Sequence, residues 1–492
     1  MSRMLLGQSY YLRFDPKLYA AMQPYPPLGT LYAASVLRQN RHDVAVFDAM
    51  LADSEDDWAA ALDRHRPRYA VLYEDNFNYL SKMCLSRMRE AAFRMIAAAR
   101  SRGSVVILCG ADATDQAGKY LAAGADYVIQ GEGEETLAEL AAFLEGREQG
   151  SVGDIRGLVF KDNAGMERRT PARPHLTQLD NLPFPAWDLV DISRYRSLWR
   201  SRHGCFSMNM VTTRGGPYHC NWCAKPIWGQ RYNSRSPENV VEELEWLKET
   251  NQADHIWFAD DIFGLKPGWI ERFGSLARDK GAALPFKCQM RADLINPSAV
   301  RGLKAARCDT VWLGAESGSQ KILDAMEKGT TVEQISRARW LLGEAGLSVG
   351  FFLQFGYPGE TRDDIALTLR MVRDLMPDDI GISVSYPLPG TKFYNRVQSQ
   401  MREKTNWQDS DDLAMLYRGP FPEAFYRELY GAVHAEFRMR RAIRRIGRSR
   451  SRIKTLASLL KNWLMWQTQQ WRMKRFHESP VESLDQAAAE GR

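Results

Sequence analysis

The segment TTRGGPYHCNWCAKP, from Thr212 to Pro226, decides how this chain of 492 residues is interpreted. Its two thiols, Cys220 and Cys223, are separated by two residues. This is the spacing of a loop that chelates soft metals or iron-sulfur clusters once both thiols are deprotonated. The spacing alone would equally suit half of a zinc site or a redox dithiol. The residues that flank the thiols are therefore needed to choose between these sites.

Those flanking residues resemble the radical S-adenosylmethionine superfamily. An Arg-Gly-x-Pro-Tyr turn follows the apolar strand pattern FSMNMVTT, Asn-Trp lies between the thiols, and Ala-Lys-Pro follows them. In that superfamily a C-x-x-x-C-x-x-C loop supplies three ligands to a 4Fe-4S cluster, whose open iron chelates S-adenosylmethionine. The resemblance implies that Cys220 and Cys223 bind such a cluster and that Gly216 occupies the position of the first ligand.

Glycine has no donor atom, so the chain retains two of the three implied protein ligands. An extended strand places Cys205 about 30 Å from the loop, and Cys288 lies before the functional end of its own strand. The remaining cysteines, Cys84, Cys109 and Cys308, are expected to be small buried hydrophobic residues. His219, next to Cys220, is a candidate nitrogen ligand, although a histidine in a turn is more often solvated. The sequence thus predicts an incomplete cluster site.

Length, charge and cysteine content define the class of protein. A chain of 492 residues suggests about three domains. Seven cysteines without regular spacing favour a reducing compartment over a disulfide scaffold. Since no run of about 18 apolar residues occurs, we expect a cytoplasmic protein without a membrane span. The net charge is +6, and the segment from Arg438 to Arg475 contains 13 Lys or Arg and no acid.

Residues 1–150 are predicted to form a doubly wound parallel sheet, because short apolar strand patterns alternate with helix-length segments. The patterns are VAVFD, which ends at Asp48, YAVLY, VVILC and YVIQ. Ligands of such sheets bind beyond the carboxyl ends of the strands. The candidate ligand-binding residues at these ends are Asp48, Gly110, Asp112, Thr114, Gly131 and Glu132.

This half of the chain resembles the cobalamin-binding, Rossmann-like domain that precedes the barrel in many radical S-adenosylmethionine enzymes. The resemblance rests on PPLG, the strand that ends at Asp48, the G-x-D-A-T turn and GEGE before a helix. It implies that cobalamin binds at the candidate residues. No D-x-H-x-x-G motif occurs, so the cobalt would have no histidine ligand. The alternative is a domain that has kept its shape and lost or changed its ligand.

Residues 151–200 are proline-rich and are predicted to be a linker. From 201 to 400 six strand patterns are each followed by a helix-length segment, which predicts a partial (β/α)6 barrel. Functional groups should gather at the carboxyl ends of its strands. The six patterns begin at Phe206, Ile256, Phe286, Val311, Val349 and Ile380. Residues 401–492 are predicted to be a helical C-terminal region with a basic tail.

The order of these strand ends also matches the radical S-adenosylmethionine core. The resemblance implies that the methionine amino group, its carboxylate, the ribose and the adenine each meet particular residues. They are Asp260 and Asp261 for the amino group, Arg291 or Ser317 for the carboxylate, Glu316 for the ribose, and Gln354 to Gly359, which includes Gly356, for the adenine. Each has a structural alternative, such as a helix cap, an ion pair or a turn glycine.

The resemblance implies that a reduced cluster cleaves S-adenosylmethionine to a 5'-deoxyadenosyl radical, with cobalamin as a methyl carrier. The layout resembles the branch that includes anaerobic magnesium-protoporphyrin monomethyl ester cyclase. We therefore expect methylation or cyclisation of an unactivated carbon in a small-molecule substrate, with flavodoxin or ferredoxin as the electron donor. Two alternatives remain because of Gly216: a pseudoenzyme that binds cobalamin or S-adenosylmethionine, and an enzyme of polar methyl transfer.

The C-terminal region raises separate questions. The pattern from Phe421 to Phe437 predicts a helix that covers the barrel mouth or lines a substrate pocket, although plain packing explains such a stripe equally. The basic segment with Trp463, Trp466 and Trp471 suits the anionic inner face of a membrane, and nucleic acid is less favoured. A solvated helix is the simplest alternative. The final residues, ESPVESLDQAAAEGR, are expected to be disordered.

Overall fold

The computed structural model describes residues 3–83, 85–223, 227–445 and 452–476. Cys84, the Ala-Lys-Pro that follows Cys223, and the predicted disordered terminus lie outside the described residues. The described chain forms two large β-sheets with helices packed on them, followed by a helical C-terminal region. The predicted fold class is confirmed.

The first sheet has seven strands in the order β2-β1-β3-β4-β5-β6-β7. The strands β1 to β5 pair in parallel, and β6 and β7 continue the sheet in antiparallel fashion. Strand β1 lies inside the sheet, between β2 and β3, although the sequence pattern did not indicate it. The bounds are β1 Arg3–Gly7, β2 Asp43–Val46, β3 Tyr69–Tyr73, β4 Val105–Cys109, β5 Tyr127–Ile129, β6 Leu158–Lys161 and β7 Glu167–Arg169.

The apolar strands β3 and β4 are buried on both faces. Alternate residues of one strand enter different cores: Leu72 packs with Trp58 on one side of the sheet, and Val71 packs with Leu137 on the other. The helices that cover the two faces and precede the barrel are α1 Pro16–Ala21, α2 Leu28–Gln39, α3 Glu55–His65, α4 Tyr79–Met83, α5 Ser86–Arg100, α6 Ala111–Asp115, α7 Ala117–Ala122, α8 Glu134–Leu144 and α9 Ile192–His203.

The segment 151–200, predicted as a linker, supplies β6 and β7 to the first sheet and ends in α9. Its proline-rich middle also reaches the barrel, because Asp180 accepts a hydrogen bond from Ser236 N at 2.8 Å. This segment is therefore packed on both sheets.

The second sheet has six parallel strands in the order β15-β14-β13-β12-β11-β8, which is the predicted partial barrel. A two-stranded pair, β9 and β10, flanks it. The bounds are β8 Ser207–Met210, β9 Thr213–Arg214, β10 Asn233–Ser234, β11 His255–Phe258, β12 Phe286–Met290, β13 Cys308–Glu316, β14 Ser348–Phe355 and β15 Asp379–Val384.

Helices cover the outer face of this sheet. Phe273 contacts Phe258 and Phe286 edge-on, so these two strand residues point outward. The helices of the barrel and the C-terminal region are α10 Pro237–Glu249, α11 Trp269–Asp279, α12 Pro297–Ala305, α13 Gln320–Ala325, α14 Val332–Glu344, α15 Arg362–Leu375, α16 Lys392–Val397, α17 Glu423–Arg445 and α18 Arg452–Met473.

The C-terminal region packs on the barrel at the end of β14. Tyr417 donates a hydrogen bond to the carbonyl of Gly356, and Arg373 of α15 forms a bidentate ion pair with Glu436 of α17 at 2.7 and 2.9 Å. Helices α17 and α18 pack side by side as a hairpin. None of the described helices combines the length and apolar character that a membrane crossing needs.

The guanidinium of Arg235 joins the barrel to α2 of the first domain. It forms an ion pair with the fully buried Glu243 of α10 and donates to the Tyr32 hydroxyl at 3.2 Å and to the Val211 carbonyl at 3.0 Å. Because both charges are removed from water, loss of one partner leaves the other uncompensated.

We therefore expect Glu243→Gln to lower the free energy of unfolding by about 3 to 5 kcal/mol, measured by urea denaturation. The matched control is Glu238→Gln on the same helix, whose partner Arg272 is exposed, so a change of at most about 1 kcal/mol is expected. Equal effects of the two variants would contradict the importance of the buried pair.

Candidate functional site

The carboxylate of Asp260 holds the chain that leads into the cysteine loop. It accepts four hydrogen bonds, from the backbone amides and the hydroxyls of Thr212 and Thr213, at 2.7 to 3.0 Å. Burial raises the pKa of Asp260 to about 6, and these hydrogen bonds counteract the rise. The Asp260 carboxylate is therefore occupied by hydrogen bonds from protein groups. Its neighbour Asp261 forms an ion pair with Lys82 of the first domain at 2.7 Å.

Two adjacent glycines, Gly215 and Gly216, follow Arg214 and differ in their surroundings. Gly215 has φ +80°, and a Cβ there would lie 2.1 Å from the carbonyl oxygen of Arg231. Gly216 has no such positive φ, and a Cβ there would meet only Ile262 Cδ1 at 3.6 Å, an ordinary contact. The loop therefore requires glycine at 215 and has room for a side chain at 216.

Asn221, between the two thiols, anchors the loop to the barrel. Its amide nitrogen donates to the Ala325 carbonyl at 2.8 Å, its carbonyl accepts from the Tyr357 hydroxyl at 3.0 Å, and its backbone amide donates to Met326 O. Side-chain amide and backbone are thus held at the end of α13. This anchoring holds the segment between Cys220 and Cys223 against the end of α13.

The structure brings Cys220, Arg291 and Glu316 into one cluster through Lys328. Arg291 Nη1 lies 3.8 Å from Cys220 Sγ and 2.9 Å from the Lys328 carbonyl, and its guanidinium stacks on Tyr218 at 3.5 Å. Lys328 Nζ donates to Glu316 Oε1 at 2.8 Å. Glu316 has φ +58° at a register shift of β13, which turns its side chain toward Lys328.

The other predicted residues of the barrel lie at its carboxyl end and contact the protein. The Ser317 hydroxyl lies 3.0 Å from that of Thr368, and Gln354 donates to Ser385 at 3.0 Å. Gly356 has φ +81°, and its amide donates to Glu360 Oε2 at 2.6 Å. Burial raises the pKa of Glu360 to about 8.

The carboxyl edge of the first sheet collects the other predicted residues. Thr114 links two loops, because its hydroxyl donates to Gly110 O at 2.8 Å and accepts from Gly131 N at 3.2 Å. Asp112 forms a bidentate ion pair with Arg89. Asp48 accepts from the Tyr195 hydroxyl at 2.7 Å, and burial raises the pKa of Asp48 to about 6.

Glu132 of this edge bonds directly to the start of the cysteine loop. Arg214 Nη1 lies 2.9 Å from Glu132 Oε1, and Nη2 lies 2.7 Å from Glu134 Oε1, with all three side chains buried. Glu132 also accepts from the backbone amide of Leu176 at 2.8 Å. The loop after β5 and the loop before Cys220 therefore form one polar network across the two sheets.

The protein groups at the cysteine loop do not complete the ligand set of a 4Fe-4S cluster. Among the residues that the structure describes, no group of three or more His, Cys, Asp or Glu side chains is arranged to hold a metal ion. The Cys109, Cys288 and Cys308 thiols are buried elsewhere, and His219 contacts Gln230 at 2.5 Å. The donor set is therefore two thiols, one short of the implied three.

The carboxyl edge of the first sheet fits cobalamin in its hydrogen-bonding chemistry. Hydroxyl, backbone amide and carboxyl groups line it, and these suit the amide side chains of a corrin ring. The five residues after each of β1 to β5 include no histidine, so these loops supply no histidine ligand to cobalt. Gly110 is required by the protein itself, because a Cβ there would lie 2.8 Å from Glu74 Cβ.

Sequence reasoning missed Arg214, Asn221 and Lys328. Arg214 and Asn221 stand inside the quoted motif, where only their spacing to the thiols was considered. Lys328 follows α13, away from any strand end, and reaches Glu316 only because residue 314 is glycine: a Cβ there would lie 2.7 Å from Lys328 Nζ. The sequence carries no signal for such a contact between distant segments.

Comparison with known families divides the chain in the same way as its two sheets. The model of the radical SAM superfamily matches residues 210–372, and the model of the B12 binding domain matches residues 20–141. An uncharacterized methyltransferase of Pyrococcus horikoshii is 28% identical over 78% of this chain and 81% of its own length. The anaerobic magnesium-protoporphyrin IX monomethyl ester cyclase of Rubrivivax gelatinosus is 25% identical over 76% of this chain and 66% of its own length.

Among solved structures, the cobalamin-dependent S-adenosylmethionine radical enzyme OxsB, determined with aqua-cobalamin bound, superimposes with a TM-score of 0.73. The match covers 96% of this chain and 72% of OxsB, at 16% identity. At this identity the likeness shows a shared fold. It extends over both sheets and the helical C-terminal region.

The contrast between the two glycines generates a stability prediction. Gly215→Ala should lower the free energy of unfolding by at least about 1 kcal/mol, because the new Cβ meets a backbone carbonyl and the φ is positive. Gly216→Ala should leave it unchanged or raise it by up to about 1 kcal/mol. Thermal and urea denaturation of the two variants measure the difference, and equal losses would show that position 216 also requires glycine.

Proposed function

Because this chain belongs to the radical S-adenosylmethionine superfamily and carries a B12-binding domain, we propose that it is a cobalamin-dependent radical S-adenosylmethionine enzyme that methylates or cyclises an unactivated carbon of a small molecule. The observation that carries the proposal is the buried bridge from Arg214 to Glu132 and Glu134, which joins the two cofactor loops. When bound, the cofactors supply the radical and methyl-transfer chemistry. The proposed electron donor is a flavodoxin or ferredoxin.

We assign the residues of the barrel to positioning and binding. Asp260 holds the cysteine loop through its four hydrogen bonds, and Asp261, which is partly exposed, is the carboxylate of the pair that remains accessible to an amino group. Arg291, which lies beside Cys220 and is paired with Asp293, is the proposed partner of the methionine carboxylate. Glu316, with Lys328 on one oxygen, and Ser317, Gln354 and Gly356 complete the proposed S-adenosylmethionine site.

Anaerobic reconstitution with iron and sulfide tests the proposal. The enzyme should hold close to four irons per chain and, when reduced, cleave S-adenosylmethionine to methionine and 5'-deoxyadenosine. Gly216→Cys should retain more iron after gel filtration, because it adds a third thiolate at a position where a Cβ makes only an ordinary contact. The measurements are iron and sulfide content, the electronic spectrum and chromatography of the products.

Gly215→Cys is the matched control, since it adds the same thiol one residue away where the Cβ collides with the backbone. If the unaltered chain neither holds iron nor cleaves S-adenosylmethionine while Gly216→Cys does both, the chain is a pseudoenzyme. If neither protein does so, the assignment to radical chemistry is wrong.

We also propose that the exposed face of α18 contacts an anionic bilayer. The face carries Leu456, Leu460, Trp463, Leu464 and Trp471, whose exposed fractions are 44% to 59%. These positions lie on one side of the helix, and Asn462 and Met473, on the opposite side, are buried against α17. An apolar stripe of this kind with tryptophan is typical of helices that lie in a membrane interface.

Charge favours a bilayer over other partners of this stripe. Lys461 and Arg472 lie along one flank of the stripe, and the segment from Arg438 to Arg475 contains 13 basic residues and no acid. Arg472 is already paired with Glu428 of α17 at 3.1 Å. A purely apolar protein partner would leave the Lys461 ammonium unmatched, whereas anionic headgroups neutralise such a charge at about 1 kcal/mol.

We therefore expect the chain to sediment with vesicles of phosphatidylcholine and phosphatidylglycerol, and much less with phosphatidylcholine alone. Leu460→Gln with Leu464→Gln should weaken binding by about tenfold or more, because apolar contact area is lost. Trp340→Gln, which alters an equally exposed apolar residue of α14, should not. Binding that ignores the anionic lipid, or concentration-dependent self-association that the double variant abolishes, would overturn the proposal.

A further inference from the structure

The inner face of the barrel carries side chains that the cofactor loops do not use. Since Phe258 and Phe286 point outward to α11, their strand neighbours Trp257 and Lys287 point inward. Trp257 and Lys287 are paired across β11 and β12. The ring of Tyr25, from the first domain, packs on Trp257 at 4.8 Å and lies at the same end of the barrel.

Strand register arranges the inward residues in three rows about 6.6 Å apart. The first row is Asn209, Trp257, Lys287 and Thr310. The second is Gln289, Trp312 and Gly350, and the third is Gly314, Phe352 and Gly381. Of the three rows, the first is farthest from the proposed cofactor loops at the carboxyl ends of the strands, and the third is nearest.

Two rings of the upper rows stack on each other and form one apolar surface, called the platform below. Trp312 and Phe352 stack at 4.7 Å with an angle of 26°. The glycines beside them leave the rings room to lie against the sheet: a Cβ at Gly350 would lie 2.5 Å from Trp312 Cδ2, and one at Gly381 would lie 3.1 Å from Phe352 Cδ1. Both rings are only partly buried, so one side of the platform remains accessible.

The first row holds a cation without a counterion in contact. None of the ion pairs among the described residues includes Lys287, whose ammonium lies 5.6 Å from the Tyr25 ring and 5.2 Å from the Trp257 ring. Asp309 and Cys205 are the groups whose charge acts on it from beyond ion-pair distance, and Asp309 also lies 3.4 Å from His255 Nε2. Burial lowers the pKa of Lys287 to about 8.

Asn209 supplies a second unmatched group in the same row. Its side chain is 3% exposed, its amide nitrogen donates to Pro26 O at 3.0 Å, and its Oδ1 has no hydrogen-bond partner. A carboxylate has no proton to donate to this acceptor, so Oδ1 is left to water or to a donor elsewhere on a ligand. The row thus combines an unpaired cation and an unpaired acceptor beneath an apolar platform.

We propose that the substrate is a planar aromatic carboxylate, whose ring lies on Trp312 and Phe352 and whose carboxylate meets the Lys287 ammonium. The backbone positions of Lys287 and Trp312 are about 8 Å apart across one strand and two residues. This span suits a bicyclic ring with a short acidic side chain. The inference rests on the proposed function for the reaction, and it concerns only which compound the barrel admits.

The test uses 2-naphthylacetate and its uncharged isostere 2-naphthylacetamide as probes of the full chain, with isothermal titration calorimetry at pH 7. The acid should bind about tenfold more tightly than the amide, because a charge-assisted hydrogen bond forms in a partly buried site. Lys287→Met should abolish this preference and leave amide binding unchanged. Lys304→Met, which removes an exposed lysine on the outer helix α12, should change neither affinity.

Two further measurements test the separate roles of Lys287 and Trp312. Raising the pH from 7 to 9 should reduce the preference for the acid, because Lys287 must be protonated to bind a carboxylate and its pKa is about 8. Trp312→Ala should weaken both probes equally. An acid preference that survives Lys287→Met, or no binding of either probe, overturns the proposal. Neither result bears on the proposed reaction, because iron content and cleavage of S-adenosylmethionine are measured without these probes.

Discussion

The buried guanidinium of Arg214 is the constraint on which the junction of the two domains depends. It lies between the carboxylates of Glu132 and Glu134 and is surrounded by the rings of Tyr32, Phe77 and Trp228, at 4.7 to 5.7 Å. A charge removed from water this completely persists only where its partners are fixed. The loop after β5 and the loop that begins at Thr212 must therefore keep one relative position. The proposed cofactor loops of the two domains are held by the same ion pairs.

This constraint bears on the meaning of Gly216. Arg214 and the four hydrogen bonds of Asp260 fix the chain just before it, and Asn221 fixes the chain just after it. Gly215 adds a backbone conformation that excludes other residues. Nothing in this frame depends on glycine at 216, where a side chain would meet only Ile262. At the ligand position that the resemblance implies, Gly216 therefore lacks only a donor atom, and the surrounding loop is held independently of it.

The apolar strand patterns and the length of the segments between them were sufficient to predict the fold class. Apolar strands separated by helix-length segments identify parallel α/β sheets. The predicted patterns YAVLY and VVILC match β3 and β4 residue for residue. Strand β1 was missed because its apolar run at the chain start is short and no strand precedes it. The candidate residues were found at strand ends, but their partners were not: the pairs Asp261 with Lys82 and Glu132 with Arg214 join segments more than 80 residues apart. Such pairings depend on how the two domains dock, which no local pattern encodes.

The distribution of buried cations separates the two ends of the barrel. Around the cysteine loop each cation has its own carboxylate: Arg214 has Glu132 and Glu134, Arg291 has Asp293, and Lys328 has Glu316. Charge at that end is balanced by the protein, so the proposed S-adenosylmethionine site is preorganised without a ligand. At the opposite end Lys287 lies over aromatic faces and has no carboxylate in ion-pair contact, with Asp309 acting on it only from a greater distance. Aromatic faces stabilise a cation less than a contacting carboxylate does when both are desolvated. The Lys287 ammonium can therefore receive an anion in the first row of the barrel. The stacked rings of Trp312 and Phe352 lie between that charge and the proposed cofactor loops.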